Sequence, residues 1–152
     1  MGNTRHRIDG NRPSSFEHSK LLYVSTSKYE GDWQSILHSH PFSELFYVVN
    51  GSGSFVAEGS EFPVSANDMV IINPHVQHTE KSLRTTPLEY IVLGIDGLSF
   101  SFENIASAQD GISMQTASGT VYKYNMTNSN VYAYLNIMLD EISRKEENYE
   151  TV

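Results

Sequence analysis

The stretch His38-Ser39-His40-Pro41-Phe42-Ser43-Glu44, followed by a hydrophobic run and Gly51, is the most informative segment of this 152-residue chain. His78, which follows Pro74 further along the chain, adds a third imidazole. The chain thus offers three imidazoles and one carboxylate, a donor set that binds a borderline divalent metal such as zinc, nickel, manganese or iron. The candidate metal ligands are His38, His40, Glu44 and His78.

The spacing of these residues has a geometric reason. Residues at i and i+2 of a strand point to the same face, so His38 and His40 can reach one centre, and Glu44 keeps that parity. His78 must come from a neighbouring strand. The turn signals between Gly51 and Pro74 allow the chain to fold back and deliver it.

Short runs rich in β-branched and aromatic residues, separated by Gly, Pro, Asn and Asp, continue along the chain. They favour a mainly β sandwich or barrel. The predicted strands are Leu21–Ser25, Ser35–His40, Glu44–Asn50, Gly53–Glu58, Met69–Asn73 and Leu88–Ile95.

The strand after the histidines should alternate between the inside and the outside of the barrel. If Glu44 faces inward, Phe46 and Val48 face inward as well. Leu45 and Tyr47 should then face outward or against another layer.

These motifs resemble the cupin family. Its first motif is matched by Gly31, His38, His40, Glu44 and Gly51, and its second in part by Asp68, Pro74 and His78. The resemblance implies a double-stranded β-helix, or jelly-roll barrel. Asn67 stands where the family usually has glycine, and the interval from Pro74 to His78 is shorter than in many enzymatic cupins. Both departures count against a metal enzyme.

The segments HSHPFSELFYVVNGSG and NDMVIINPHVQHTE, within His38–Glu80, resemble the N-terminal sensor domain of AraC-type transcription regulators. The resemblance covers Leu21–Phe102. It implies a domain without enzymatic activity that senses a small-molecule effector, for example a sugar, and forms a homodimer. The expected ligand-binding residues are His38, His40, Glu44, Phe46 and His78, with Trp33, Phe42 and Tyr90 as weaker candidates for stacking.

Charge and composition are consistent with such a sensor separated from its DNA-binding part. The net charge of −8 has the wrong sign for a phosphate-binding surface, and no helix-turn-helix pattern is evident. DNA would therefore be bound only through a C-terminal domain absent from this chain. There is no cysteine, no signal region and no apolar stretch long enough to cross a membrane, so the expected location is the cytoplasm.

Three regions follow from the pattern. Residues 1–19 form a polar arm predicted to be flexible, residues 20–102 the barrel, and residues 103–152 the rest of the barrel and a C-terminal helix at about 129–148. Thr127, Asn128 or Ser129 could cap this helix. Its apolar stripe, for packing on the barrel or for dimerisation, is Val131, Leu135, Met138 and Ile142, widened by Tyr134 and Ile137.

Two other functions remain open. The first is a metal-dependent cupin enzyme of isomerase or dioxygenase type, and the second is a plain dimerisation module. His75, Gln77 and Glu80 are predicted to lie on the rim of the site rather than to bind metal. His6 and His18, in or beside the arm, need no role.

Overall fold

The computed structural model describes residues 2–7, 19–29, 36–100, 112–115, 121–127 and 129–149, the side chains of 2–7, 112–115 and 145–149 excepted. These residues form ten strands and one helix. The strands are β1 Gly2–Arg7, β2 Lys20–Lys28, β3 Ser43–Asn50, β4 Ser52–Ala57, β5 Ser60–Ser65, β6 Asp68–Ile72, β7 His78–Ser82, β8 Glu89–Asp96, β9 Ile112–Gln115 and β10 Val121–Asn125. The helix is α1 Val131–Tyr149.

The strands form two antiparallel sheets. Among the described residues, one sheet has the order β1-β2-β8-β3-β6-β10-β9 and the other has the order β5-β4-β7. Neighbours in these sheets are mostly not neighbours in sequence, which is typical of a jelly-roll arrangement. The predicted fold, mainly β and cupin-like with a C-terminal helix, is confirmed.

The barrel interior lies between the two sheets. Its buried cluster contains Phe46 and Val48 of the large sheet and Phe55 and Phe62 of the small one. Tyr47, by contrast, belongs to a second cluster on the opposite face of the large sheet. The predicted alternation along β3 is therefore confirmed, because successive side chains of a strand point to opposite faces.

Helix α1 covers that opposite face. Leu135 is buried against the sheet, and Val131, Met138 and Ile142 pack against the same cluster. Ser129 accepts a hydrogen bond from the backbone N–H of Val131, as expected of an N-cap residue. The predicted stripe thus packs on the barrel.

Two residues assigned to that stripe lie elsewhere. Tyr134 is 66% exposed and Ile137 is 59% exposed. At 100° per residue, both are rotated away from the side of the helix that carries Leu135. They therefore do not widen the part of the stripe that packs on the barrel, and use of the stripe in dimerisation stays a prediction.

The strand predictions need three corrections. Residues 36–40 are not a continuous strand, because His38 makes only an isolated bridge with His78. Gly2–Arg7 was assigned to a flexible arm, but every residue of this strand pairs with β2. Strands β5, β7, β9 and β10 were not predicted as strands. β7 escaped prediction because it buries polar side chains and carries no hydrophobic run.

Within the described residues, no helix is long and apolar enough to cross a membrane.

Candidate metal centre

Four side chains converge at one end of the barrel. Each of them offers one ligand atom, and these atoms lie within 4.8 Å of one another. Glu44 comes from β3 and His78 from the start of β7, while the other two come from the segment before β3. The four predicted ligands, His38, His40, Glu44 and His78, are thus brought together.

Backbone contacts hold the two histidine segments side by side. His38 and His78 exchange backbone N–H···O=C bonds of 3.0 and 2.9 Å, and the N–H of His75 donates to the carbonyl of His40 at 2.7 Å. Among residues 36–40, an isolated bridge at His38 is therefore found in place of the predicted strand Ser35–His40. It places the His38 and His78 rings 4.4 Å apart, centroid to centroid.

The outer nitrogens of two rings are already fixed. Nδ1 of His38 lies 2.9 Å from the carbonyl of Ile36, and Nδ1 of His78 lies 2.8 Å from the carbonyl of Val76. A carbonyl can only accept, so each Nδ1 carries the proton. The Nε2 lone pairs are then left for the centre, which is how metal-binding histidines are commonly oriented.

Glu44 is the charged hub of the cluster. Its Oε1 lies 3.1 Å from Nε2 of His40 and 2.9 Å from Nε2 of His78. Its Oε2 accepts a hydrogen bond of 2.6 Å from the hydroxyl of Tyr23.

The hydrogen bonds control the protonation of the pair. Burial by itself would raise the pKa of Glu44, but the hydrogen bonds from His40, His78 and Tyr23 outweigh it and hold that pKa well below its usual range. For His78, burial is the largest effect and lowers the pKa, but the hydrogen bonds with Glu44 and with the Val76 carbonyl, together with the charges of Glu44 and Glu80, outweigh it, so the net pKa is raised. When Nε2 of His78 is protonated, it donates its hydrogen bond to Oε1 of Glu44.

The donor set fits a divalent metal. Ligands about 2.1 Å from an ion lie roughly 3 to 4.2 Å from each other, somewhat less than the 4.8 Å within which these atoms lie, so a small inward movement would complete the site. A mixed imidazole and carboxylate set suits zinc, nickel, manganese or iron. These residues could therefore hold one metal ion.

Aromatic rings form the inner wall of the site. Phe42 stacks on His40 with centroids 4.9 Å apart and planes 9° apart, and Phe46 meets His78 edge to face at 6.2 Å. Phe46, predicted as a ligand-binding residue, lies at the site but is only 3% exposed. Trp33 lies outside the described residues, and the buried Tyr90 lies further along the barrel against Phe46.

The predicted rim residues divide into two groups. His75 and Gln77 are exposed, as expected. Glu80 is buried and shares the inward face of β7 with His78, so its assignment to the rim is wrong. His6 belongs to β1, whose side chains are not described, and His18 lies outside the described residues.

Sequence reasoning missed Tyr23 and Glu80. Tyr23 is buried and binds Glu44 directly, although 21 positions separate them in the chain. Glu80 accepts a hydrogen bond of 2.7 Å from the Tyr90 hydroxyl inside the barrel. Period-two parity from His78 could have pointed Glu80 inward, whereas nothing local signals the role of Tyr23.

Asn67 stands where the second motif usually has glycine, and the backbone conformation explains why asparagine can replace it. Asn67 has a φ of +73°, in the left-handed region that asparagine tolerates better than most non-glycine residues. Gly51 of the first motif has a φ of +82°, and a Cβ there would lie 1.9 Å from the carbonyl oxygen of Pro87. Both turn positions therefore keep the geometry that the motif requires.

Comparisons with known proteins agree with this fold. The family model of the cupin domain matches residues 26–94. Protein YhaK from Escherichia coli is 13% identical over 83% of this chain and 52% of its own, with a TM-score of 0.53. A search of curated proteins gave no match.

Two further solved structures are similar over shorter stretches. A predicted oxalate decarboxylase from Thermotoga maritima is 26% identical over 52% of this chain and 69% of its own, with a TM-score of 0.47. The bacterial pirin YhhW from Escherichia coli, in complex with nickel(II), is 19% identical over 64% of this chain and 47% of its own, with a TM-score of 0.49. The sheet order and the match of the family model show that the chain has the cupin fold, with a cupin domain at residues 26–94.

Proposed function

We propose that this chain is a metal-dependent cupin that holds one divalent metal through His38, His40, Glu44 and His78 and binds a small oxygen-bearing molecule there. The observation that carries the proposal is the convergence of the four ligand atoms within 4.8 Å. Such a cluster differs from a surface patch of acidic groups, because Glu44 and His78 are buried and three of its four members are imidazoles.

The chain's own residues prepare the site. The carbonyls of Ile36 and Val76 orient the His38 and His78 rings, and Glu44 supplies the negative charge that offsets a cation. When bound, a divalent metal would supply a Lewis-acidic position for an oxygen atom of the small molecule. Phe46 and Phe42 keep the inner side of the site apolar, which strengthens electrostatic contacts with a bound ligand.

Metal content is the first test, with two matched histidine variants. His40→Asn removes a proposed ligand, whereas His75→Asn removes an exposed imidazole outside the cluster. Asparagine also tolerates the φ of +66° at His75. We expect about one equivalent of metal in the wild type and in His75→Asn, and loss of metal in His40→Asn. Equal metal content in both variants, or no metal in the wild type after incubation with Zn²⁺, Ni²⁺, Mn²⁺ and Fe²⁺, would contradict the proposal.

A second candidate is the effector-sensing and dimerisation domain of an AraC-type regulator. It is favoured by the resemblance of His38–Glu80 and by the apolar side chains of Tyr134 and Ile137, which α1 leaves exposed. In this form the chain would be a cytoplasmic homodimer that binds an effector such as a sugar without converting it. DNA contact would depend on a domain outside this sequence.

Turnover separates the candidates. Consumption of a sugar or small carboxylate by the metal-loaded protein would favour an enzyme of isomerase or dioxygenase type. A rise in the midpoint of thermal unfolding with ligand, without turnover, would favour the sensor. Dimerisation without either result would favour a plain dimerisation module.

A further inference from the structure

We infer that Tyr23 is a positioning residue of the metal centre and that Gly94 is a glycine because the Tyr23 ring lies over it. Tyr23 orients Glu44 through a hydrogen bond and His40 through the ring of Phe42. This inference rests on the proposed metal site and extends it to two residues on strands that carry no ligand.

The register of the large sheet places Tyr23, Gly94 and Glu44 in one row across three strands. Gly94 of β8 is the partner of Tyr23 on β2 and also of Glu44 on β3. β8 lies between the other two strands, so Tyr23 and Glu44 are separated by two strand spacings, roughly 9.6 Å. A tyrosine can bridge that distance only if its ring lies flat across the middle strand.

Gly94 provides the space for that ring. A Cβ at this position would lie 2.4, 2.6 and 2.9 Å from Cε1, Cζ and Cδ1 of Tyr23. Any larger side chain would push the ring away from the sheet. Glycine in a strand interior weakens the strand and often marks a close approach of another group, and here the group is the Tyr23 ring.

The irregularity of β2 lies next to this contact. The pairing of β2 with β8 shifts by one residue between Leu21 and Tyr23. Such bulges increase the local twist and re-aim a neighbouring side chain. The bulge and the glycine together direct the Tyr23 hydroxyl toward Glu44.

The hydroxyl holds the carboxylate of Glu44 in one orientation. Tyr23 occupies Oε2 at 2.6 Å, while Oε1 faces the nitrogens of His40 and His78. Without this donor the carboxylate could rotate about its last bond, a torsion with a broad energy minimum. The hydrogen bond therefore fixes one ligand oxygen.

The Tyr23 ring also supports a second ligand. It meets Phe42 edge to face at 5.8 Å, and Phe42 in turn stacks on His40 at 4.9 Å. Aromatic contacts of this kind restrict ring orientation. Tyr23 on β2 thus limits the movement of two proposed ligands, Glu44 directly and His40 through Phe42.

The test compares Tyr23→Phe with Tyr47→Phe. Both variants remove one hydroxyl from a buried tyrosine of the large sheet, but the Tyr47 hydroxyl donates to Asn67, on the face away from the metal site. Affinity for Mn²⁺ and Ni²⁺ is measured by calorimetry, and the electron paramagnetic resonance spectrum of the Mn²⁺-loaded protein reports the ligand geometry. Thermal unfolding without metal reports the fold.

We expect Tyr23→Phe to weaken metal affinity by about 10- to 100-fold and to change the Mn²⁺ spectrum. Tyr47→Phe should keep the wild-type affinity and spectrum while losing similar thermal stability. Gly94→Ala should weaken binding as well, and less so in the Tyr23→Phe background, because the hydroxyl contact it disturbs is already gone. If Gly94→Ala does not fold, Phe42→Leu tests the aromatic contact, with a weaker affinity expected.

Two failures are distinguishable. If the wild type binds metal and Tyr23→Phe binds it with the same affinity and spectrum, the positioning role is overturned and the metal site stands. Absence of metal binding by the wild type would overturn the site itself and this inference with it.

Discussion

Two carboxylates are buried in the same barrel, and their neighbours differ. Glu44 and Glu80 are each 5% exposed. Glu44 lies against the ring nitrogens of two histidines and one tyrosine hydroxyl. Glu80 receives a hydrogen bond from the Tyr90 hydroxyl, and the Tyr29 hydroxyl lies 3.4 Å from its backbone carbonyl.

The difference separates a candidate metal site from a structural contact. An imidazole nitrogen loses its proton near neutral pH and can then bind a metal. The phenols beside Glu80 behave in the opposite way. Burial and the charge of Glu80 raise the pKa values of Tyr90 and Tyr29 well above their ordinary value of 10, so both hydroxyls keep their protons. They remain hydrogen-bond donors, so the Glu80 cluster supports the barrel interior.

The largest expected effect comes from exchanging each carboxylate for its amide. Glu44→Gln should weaken metal affinity by more than about 100-fold, since it removes a charged ligand rather than an outer contact. Glu80→Gln should leave the affinity within a few-fold of the wild type. Calorimetric titration with Mn²⁺ measures both, and a comparable loss in the two variants would break the distinction between the clusters.

A smaller effect is expected from Tyr90→Phe. Removing this hydroxyl takes a donor from a buried carboxylate, which should lower the free energy of unfolding by about 1 to 3 kcal/mol. Metal affinity should not change. Urea unfolding of the metal-free protein measures the first quantity. Unchanged stability together with a weaker metal affinity would place Glu80 in the metal site instead.

The smallest effect is a dependence of stability on pH above 6.5. The pKa of His78 is raised above its ordinary value of 6.5 in the metal-free fold, so the stabilisation it contributes is complete below pH 6.5. It is lost as the pH rises through the raised pKa. The metal-loaded protein should show the opposite slope, because protons and metal compete for Nε2.

Thermal unfolding from pH 6.5 to 8, with and without Mn²⁺, measures these slopes. The variant His78→Gln should remove the slope of the metal-free protein. Parallel curves with and without metal would contradict binding at His78.

The sequence alone predicted the barrel and the four converging residues. Strand parity relates Glu44, Phe46 and Val48, and the interior cluster confirms that the latter two share one face. The histidine motif, with His78 returned by turns, predicted the cluster itself. These features depend on local periodicity and turn chemistry, which a sequence states directly.

The tertiary structure alone decided which other side chains support the site. Tyr23 reaches Glu44 because a bulge in β2 and the pairing of β2 and β3 with β8 set one register, with Gly94 leaving room in the middle. Glu80 is buried because β7, a polar strand without a hydrophobic run, pairs with β4. The exposed positions of Tyr134 and Ile137 depend on how α1 docks. Contacts between distant segments depend on register and packing, which local sequence patterns do not specify.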